Sequence, residues 1–258
     1  MPRIEFPEDV VNIIILGSDY RPDRSGSRSD TIIVLSLDPG AGTATMISIP
    51  RDLYVYLPGW RVDRINTADP RGGVEMVKNT ILYNLGIEID YWVRVYFSGF
   101  ITAVDLLGGI YVYVGSYLED QCGSTIYTTF SPGLYQMDGY TALCYVRMRK
   151  FSSDFDRLRR QQEVVKALFN RVLNLDGLSR VPQLYDQFDS LVQSDMKLED
   201  ILPLVPLAAT LASDPSRLHT FSIGSTMVSS WRVPYSGAAV LLPNWEAIQD
   251  MLLEAFGP

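Results

Sequence analysis

The 258 residues contain a single histidine, His219, and only two cysteines, Cys122 and Cys144, which match no spaced metal-ligand pattern. A His/Cys zinc site and a histidine-based catalytic triad therefore lack their parts. No apolar run approaches the roughly twenty residues that a membrane-spanning helix needs. Met1-Pro2-Arg3-Ile4-Glu5 has no signal-like pattern and leads almost directly into a strand-like segment. Positive charge is in short supply as well. With 22 Lys and Arg against 30 Asp and Glu, the formal net charge is −8, which a phosphate backbone would repel, so no broad nucleic-acid interface is expected. Internal repeats, low-complexity stretches and long linkers are also missing. The cysteines leave two readings open: a Cys122–Cys144 disulfide, reasonable outside the cytoplasm, or two buried thiols.

What is present is a core. Hydrophobic residues make up 47% and charged residues 20%, the balance of a packed globular chain, and the length suits one large α/β domain over residues 1–258. Val10 to Leu16 is a continuous apolar run that reads as a buried strand, followed by strands over Thr31 to Leu37 and Thr45 to Ile49 with a turn at Asp38-Pro39-Gly40. Helical spacing runs from Gly73 to Leu85 and stops at Gly86. Tyr91 to Phe97 reads as a strand, Ser98 to Leu107 as a short helix and Ile110 to Val114 as a strand. Helices are expected over Asp156 to Val172, Ser179 to Val192, Leu198 to Ala212 (shortened or kinked by Pro203 and Pro206) and Trp245 to Phe256, with a late strand at Leu218 to Ile223. This alternation predicts a sheet with helices on both faces.

Charged residues gather in three places. Asp19, Arg21, Asp23, Arg24, Arg28 and Asp30 flank the end of the first strand and the start of the second, where ligand crevices of open α/β sheets lie. Two hard carboxylates, Asp19 and Asp30, suit Mg²⁺; a solvated, salt-bridged turn is the alternative. Arg51 in Ile49-Pro50-Arg51-Asp52 and Arg64 in Arg64-Ile65-Asn66 carry guanidinium forks that match phosphate oxygens, or serve as surface ion pairs. In Tyr145-Val146-Arg147-Met148-Arg149-Lys150 the alternation predicts a strand with Arg147 and Arg149 on one face. Beyond it, Asp154, Arg157 and Gln161 are spaced i, i+3, i+7 along one helix face with Arg160 beside them, and a solvated face is an equal alternative for Arg159 and Arg160. Clustered arginines are easiest to rationalise around an anion such as a pyrophosphate. Phosphoryl transfer needs mainly positioning and charge neutralisation, and Asp154 or Asp156 can accept a nucleophile's proton. An N-terminal helix cap is the other role open to Asp154.

These segments together resemble the LytR-CpsA-Psr family: Asn12 to Arg21, Arg28 to Thr31, Ser48 to Leu53, Arg64 to Asn66, Gly72-Gly73, Asp105 to Gly109, Leu143 to Lys150 and Asp154 to Gln161, in family order. The resemblance implies one three-layer αβα domain with a central mixed sheet and a hydrophobic lipid-binding tunnel, its core motifs in 11–172 and its C-terminal elements in 173–258. Val77, Ile81, Phe97, Phe100, Val164 and Leu168 are among the residues able to line such a tunnel or simply to form the core. It implies a phosphotransferase that moves polyprenyl-pyrophosphate-linked polymers, such as teichoic acids and capsular polysaccharides, onto peptidoglycan. It further implies Mg²⁺ on Asp19 and Asp30, a pyrophosphate and head group surrounded by Arg51, Arg64, Arg147, Arg149, Arg157 and Gln161, and a catalytic set of Asp154, Arg51 and Arg149. Position 64 is often Lys in the family. Members are anchored by one transmembrane helix on the outer face of the bacterial cytoplasmic membrane, so the chain reads as a soluble, monomeric fragment lacking that helix, and a Cys122–Cys144 disulfide gains support. A polyprenyl-pyrophosphate hydrolase and a non-catalytic lipid-pyrophosphate-binding regulatory module are the alternatives.

Overall fold

In the computed structural model, which describes residues 1–19, 28–122, 126–150, 153–174 and 181–257, the first apolar run forms strand β1 (Val11–Ser18). It pairs antiparallel with β2 (Ser29–Asp38), which pairs antiparallel with β3 (Thr43–Ser48). The turn between β2 and β3 closes where the Asp38 carboxylate accepts the Ala41 N–H at 2.7 Å. A short hairpin follows, β4 (Tyr54–Tyr56) with β5 (Val62–Arg64). Helix α1 (Ala68–Leu85) begins earlier than its periodicity predicts because Gly72 and Gly73 kink it. Gly73 holds φ 65, ψ −164, a conformation that only glycine adopts without strain. The helix ends at Gly86, as expected. Strand β6 (Tyr91–Tyr96) completes this stretch.

The middle of the chain supplies α2 (Phe97–Leu106), β7 (Ile110–Val114), β8 (Leu118–Cys122), β9 (Ile126–Phe130), β10 (Gly133–Met137), α3 (Gly139–Arg147), α4 (Asp154–Asn174) and α5 (Val181–Phe188). The beginning of the helix expected from Ser179 lies outside the described residues. The C-terminal stretch adds β11 (Val192–Ser194), α6 (Leu198–Ile201), α7 (Val205–Ser213), β12 (Leu218–Ser222), β13 (Val228–Arg232), β14 (Ala239–Pro243) and α8 (Trp245–Phe256). Pro203 and Pro206 break the helix expected over Leu198 to Ala212 into α6, a 3₁₀ turn and α7, because neither can donate a backbone hydrogen bond.

These elements fall into two units, Met1–Arg94 with Ser194–Pro258, and Val95–Gln193. The main sheet has the order β11-β6-β1-β2-β3-β12 and is mixed, since β12 runs parallel to β3 while β1, β2 and β3 alternate. In the first unit, Ile14, Leu16, Ile32, Val34 and Ile47 point from this sheet into a core shared with Val77 and Ile81 of α1 and Ile248 and Leu252 of α8. Each such side chain is worth about 1.5–3 kcal/mol of transfer free energy. The second unit has its own core, in which Val104, Ile110, Val112, Met137, Tyr145 and Val164 join α2, the antiparallel β7–β10 pair, α3 and α4.

The strand expected at Tyr145 to Lys150 is not there. Tyr145 to Arg147 is the last turn of α3, and Met148 ends it at φ −55, ψ 137. The helix starts at Asp138, whose carboxylate accepts the Thr141 N–H at 2.8 Å as an N-cap. Tyr145 and Met148 are three residues apart on the buried side, with Arg147 between them exposed. Over six residues that pattern imitates strand alternation.

Cys122 of β8 and Cys144 of α3 form a disulfide, with Cα atoms 5.6 Å apart across a sequence separation of 22. A bond closing a loop of this length stabilises by about 3 kcal/mol in the chain-entropy account. Denaturant unfolding with and without reductant should differ by that amount, and coincident midpoints would show that the bond adds nothing.

Candidate functional site

In the first unit, the ladder between β1 and β2 slips at Gly17 and Ser18: Gly17 pairs with Thr31 and Ser18 with Ser29, leaving Asp30 as the extra, bulged residue. A Cβ on Gly17 would lie 2.8 Å from Thr31 Cβ, so the close approach requires glycine. Asp19 is the residue after the Ser18–Ser29 pair, which puts both acids at the same end of the β1–β2 ribbon. Arg21, Asp23 and Arg24 lie outside the described residues.

Arg51 follows β3 and donates from Nη1 to Asp30 Oδ1 at 2.7 Å. Its Nε lies 3.3 Å from Asp52 Oδ2, and Arg64 Nη1 donates to Asp52 Oδ1 at 3.4 Å. Asp52 thus bridges both arginines, a role that its sequence neighbourhood does not reveal. The Arg51 carbonyl accepts the Asn66 N–H at 3.2 Å, tying the two motifs together through the backbone. The four charged side chains are 18–31% exposed, partly dehydrated yet open to a ligand. Nearby in the same unit, buried Asp69 accepts the Ser29 hydroxyl at 3.0 Å and pairs with Arg94. Neither Asp69 nor Arg94 belongs to any recognised motif.

In the second unit, two charged side chains hold the backbone around Arg149. The Asp120 carboxylate accepts the N–H groups of Arg149 at 2.7 Å and Lys150 at 3.0 Å. Buried Arg160 donates to the Met148 carbonyl. Lys150 itself reaches Glu119 at 3.0 Å. Burial pushes the Asp120 carboxyl up, but the N–H groups of Arg149, Lys150 and Gln121 outweigh it and hold the group below the ordinary carboxylate value. The Arg147 guanidinium sits 4.6 Å from the Phe97 ring centroid. Arg147 and Arg149 are exposed, but they project from a helix end and the turn after it, not from one strand face.

Asp154, Arg157 and Gln161 do share one face of α4. Arg157 and Gln161 are buried, and Arg157 Nη2 lies 3.1 Å from Asp154 Oδ1. The helix cap is Ser153, not Asp154: the Ser153 hydroxyl accepts the Asp156 N–H at 3.0 Å and the Asp156 carboxylate accepts the Ser153 N–H at 2.9 Å. Those bonds from Ser153 hold the Asp156 carboxyl below its ordinary value, whereas Asp154 is 48% exposed with Arg157 at its side. The two alternatives open to Arg159 and Arg160 divide between them. Arg159 is 60% exposed, and Arg160 is only 2% exposed because it continues the buried face set by Arg157 and Val164.

Among the described residues no three His, Cys, Asp or Glu side chains gather to hold a metal. Asp19 and Asp30 supply two carboxylates at one end of the ribbon, the number with which Mg²⁺ is usually held alongside phosphate and water oxygens, and Arg51 already occupies Asp30 Oδ1.

The model of the LytR_cpsA_psr family matches residues 4–250. The chain belongs to this family. This LytR_cpsA_psr chain is 32% identical over 232 residues to the polyisoprenyl-teichoic acid–peptidoglycan teichoic acid transferase TagU of Oceanobacillus iheyensis, covering 87% of this chain and 71% of that protein. It is 31% identical to the transferase of the same description, TagT, of Bacillus subtilis, covering 80% of this chain and 66% of TagT, so it spans about two thirds of these relatives. The crystal structure of B. subtilis TagV superposes with a TM-score of 0.82 at 28% identity, covering 97% of this chain and 98% of that one. A structure of TagT bound to LIIa-WTA superposes with a TM-score of 0.77 at 28% identity, covering 99% and 94%. The α/β fold with a central mixed sheet is therefore that of the LytR_cpsA_psr domains. Among the described residues, no helix is long and apolar enough to cross a membrane.

Proposed function

We propose that this domain is a phosphotransferase that moves a glycan phosphate from a polyprenyl-pyrophosphate-linked donor onto peptidoglycan. The observation that carries it is the backbone clamp in the second unit, where Asp120 and Arg160 hold the turn from which exposed Arg149 projects. Fixing a guanidinium in this way lowers the entropy lost when it grips a phosphate. The teichoic acid transferases TagU and TagT among its relatives support the same reading.

In the reaction, an acceptor hydroxyl oxygen attacks the phosphorus attached to the glycan. The bond from that phosphorus to the oxygen bridging to polyprenyl phosphate breaks, and polyprenyl monophosphate leaves. Asp154 takes the hydroxyl proton, with Arg157 holding its carboxylate. As the family resemblance implies, Arg51, Arg64, Arg147 and Arg149 are assigned to phosphate oxygens, and Gln161 with Arg157 to the head group. Asp19 and Asp30 would hold Mg²⁺, which when bound neutralises charge on the phosphate oxygens. The polyprenyl chain is assigned to a tunnel reached through the half-buried apolar side chains Phe97, Phe100 and Ile101 of α2 and Val165, Leu168 and Phe169 of α4. The domain acts as a monomer on the outer face of the cytoplasmic membrane, where a disulfide persists, anchored through a helix outside this chain.

The test is incubation with a short-chain polyprenyl-pyrophosphate glycan, with and without soluble peptidoglycan oligomers, followed by mass spectrometry. A covalent glycan phosphate–peptidoglycan product supports transfer. Free glycan phosphate alone would make the domain a hydrolase, and binding without turnover a receptor. Turnover should vanish in chelator and in the Asp19→Ala, Asp30→Ala double variant; activity surviving both would remove the metal role. Changing Arg147 or Arg149 to Ala should weaken donor binding by about 1.5–3 kcal/mol in calorimetric titration, and unchanged affinity in both would sink their assignment.

A further inference from the structure

The hairpins β4–β5 and β13–β14 meet edge to edge in the first unit. Leu53 bridges Leu241, and the Leu241 N–H donates to the Asp52 carbonyl at 3.0 Å. Leu53 is fully buried, so the next residue, Tyr54, faces outward by strand alternation. Tyr54 pairs with Arg64 across β5, and Trp231 pairs with Val240 across β13. By that register the row through Tyr54 runs Arg64, Tyr54, Leu242, Ser229 across four strands, about 14 Å at ordinary strand spacing, and Trp231 lies diagonal to it on the same face, two residues beyond Ser229. The Tyr54 and Trp231 rings lie 5.9 Å apart, tilted at 54°. Tyr235, on the turn between β13 and β14, brings its hydroxyl 3.1 Å from the Tyr54 hydroxyl. Trp231 is 39% exposed and Tyr235 73%.

Apart from Arg64, the exposed or half-buried side chains on this face are uncharged, namely Tyr54, Tyr56, Val62, Ser229, Trp231 and Leu242, while Val240 is buried. Arg64 is the one charge in the row, with Arg61 and Asp63 of opposite sign close enough to act on Tyr54, so a polymer or peptide charged at every repeat would find no matching series of counter-charges. An aromatic surface edged with phenol hydroxyls has the chemistry of a pyranose in relief: the sugar's C–H face lies on a ring, and its hydroxyls meet the edge. The Tyr54 hydroxyl is pushed up to about 12, first by its bond with Tyr235, so it stays neutral and able to donate. The row ends at Arg64, already assigned to donor phosphates.

We infer that this row is the binding track for the acceptor glycan, an uncharged N-acetylhexosamine strand laid on Tyr54 and Trp231 with its attacking hydroxyl toward Arg64. The inference rests on the proposed transfer reaction for the strand's role, but its binding can be measured without donor or metal. Calorimetric titration with the β-1,4-linked N-acetylglucosamine hexamer should show saturable binding. Trp231→Ala should weaken it about tenfold, as expected for loss of a stacking ring. Tyr235→Ala, at a position too exposed to matter for folding, should also weaken binding, and Tyr113→Ala, which removes an exposed tyrosine of the second unit, should leave it unchanged. No hexamer binding, or equal affinity in wild type, Trp231→Ala and Tyr235→Ala, overturns the track. So does loss of binding to phosphatidylglycerol vesicles, in place of loss of hexamer binding, in those two variants, which would make the row a membrane contact. Hexamer binding with no transfer product would retain the track and remove the transferase reading; transfer with no hexamer binding would do the reverse.

Discussion

An Asp154→Asn variant should keep its fold and its affinity for a lipid-linked donor while turnover falls by roughly 10²–10⁴, the usual contribution of a positioned general base. Asn cannot accept the proton, yet its amide oxygen can still meet the Arg157 guanidinium, which lies 3.1 Å from the Asp154 carboxylate. The substitution does not disturb the start of α4, because Ser153 and Asp156 cap it reciprocally. Thermal unfolding should therefore move little, by no more than about 0.5 kcal/mol for a surface change of this kind. Asp156 is the poorer base, since its carboxylate is committed to the Ser153 N–H and hydroxyl and held below its ordinary value. Near-normal transfer by the Asn variant would reduce Asp154 to a partner for Arg157 and turn attention to Asp156.

Asp69→Ala should cost about 3–5 kcal/mol of stability, the penalty for removing one member of a buried ion pair. Asp69 has a side-chain exposure of 5% and Arg94 of 15%, so water cannot fully replace the lost counter-charge. The buried Ser29 hydroxyl loses its acceptor at the same time. Replacing both charges, Asp69→Leu with Arg94→Met, should recover much of the loss, because two apolar side chains of similar bulk leave no stranded charge. Urea unfolding of both variants checks this. A loss below about 1 kcal/mol in Asp69→Ala would show that the cavity admits enough water to solvate Arg94.

The elements legible in the sequence were those whose burial has one period over a long run. The continuous apolar run of β1 announces a strand buried on both faces, and the helical spacing of α4 and α8 announces helices packed on one side against a core. The hairpins β8–β9 and β13–β14 were not legible, since Leu118-Glu119-Asp120-Gln121-Cys122 and Val228-Ser229-Ser230-Trp231-Arg232 carry few apolar residues. For α3 a signal existed, Asp138 ahead of Gly139-Tyr140-Thr141, but the alternation of arginines downstream outweighed it. The motif arginines and acids could be named from their spacing, whereas their supports could not. Asp120 lies 29 residues from Arg149, and Asp69 lies 25 from Arg94; such pairs exist only once the chain has folded.

The bulge at Asp30 separates two kinds of selection. In a regular strand every residue holds its place in the ladder, so changing one disturbs pairing and chemistry together. Asp30 stands outside that register, between Thr31 and Ser29, which already have partners in Gly17 and Ser18. Excising it would bring Thr31 and Ser29 next to each other and restore an uninterrupted ribbon. The sheet can thus dispense with Asp30, whose place in the chain is accounted for by what its carboxylate does, beginning with its bond to Arg51.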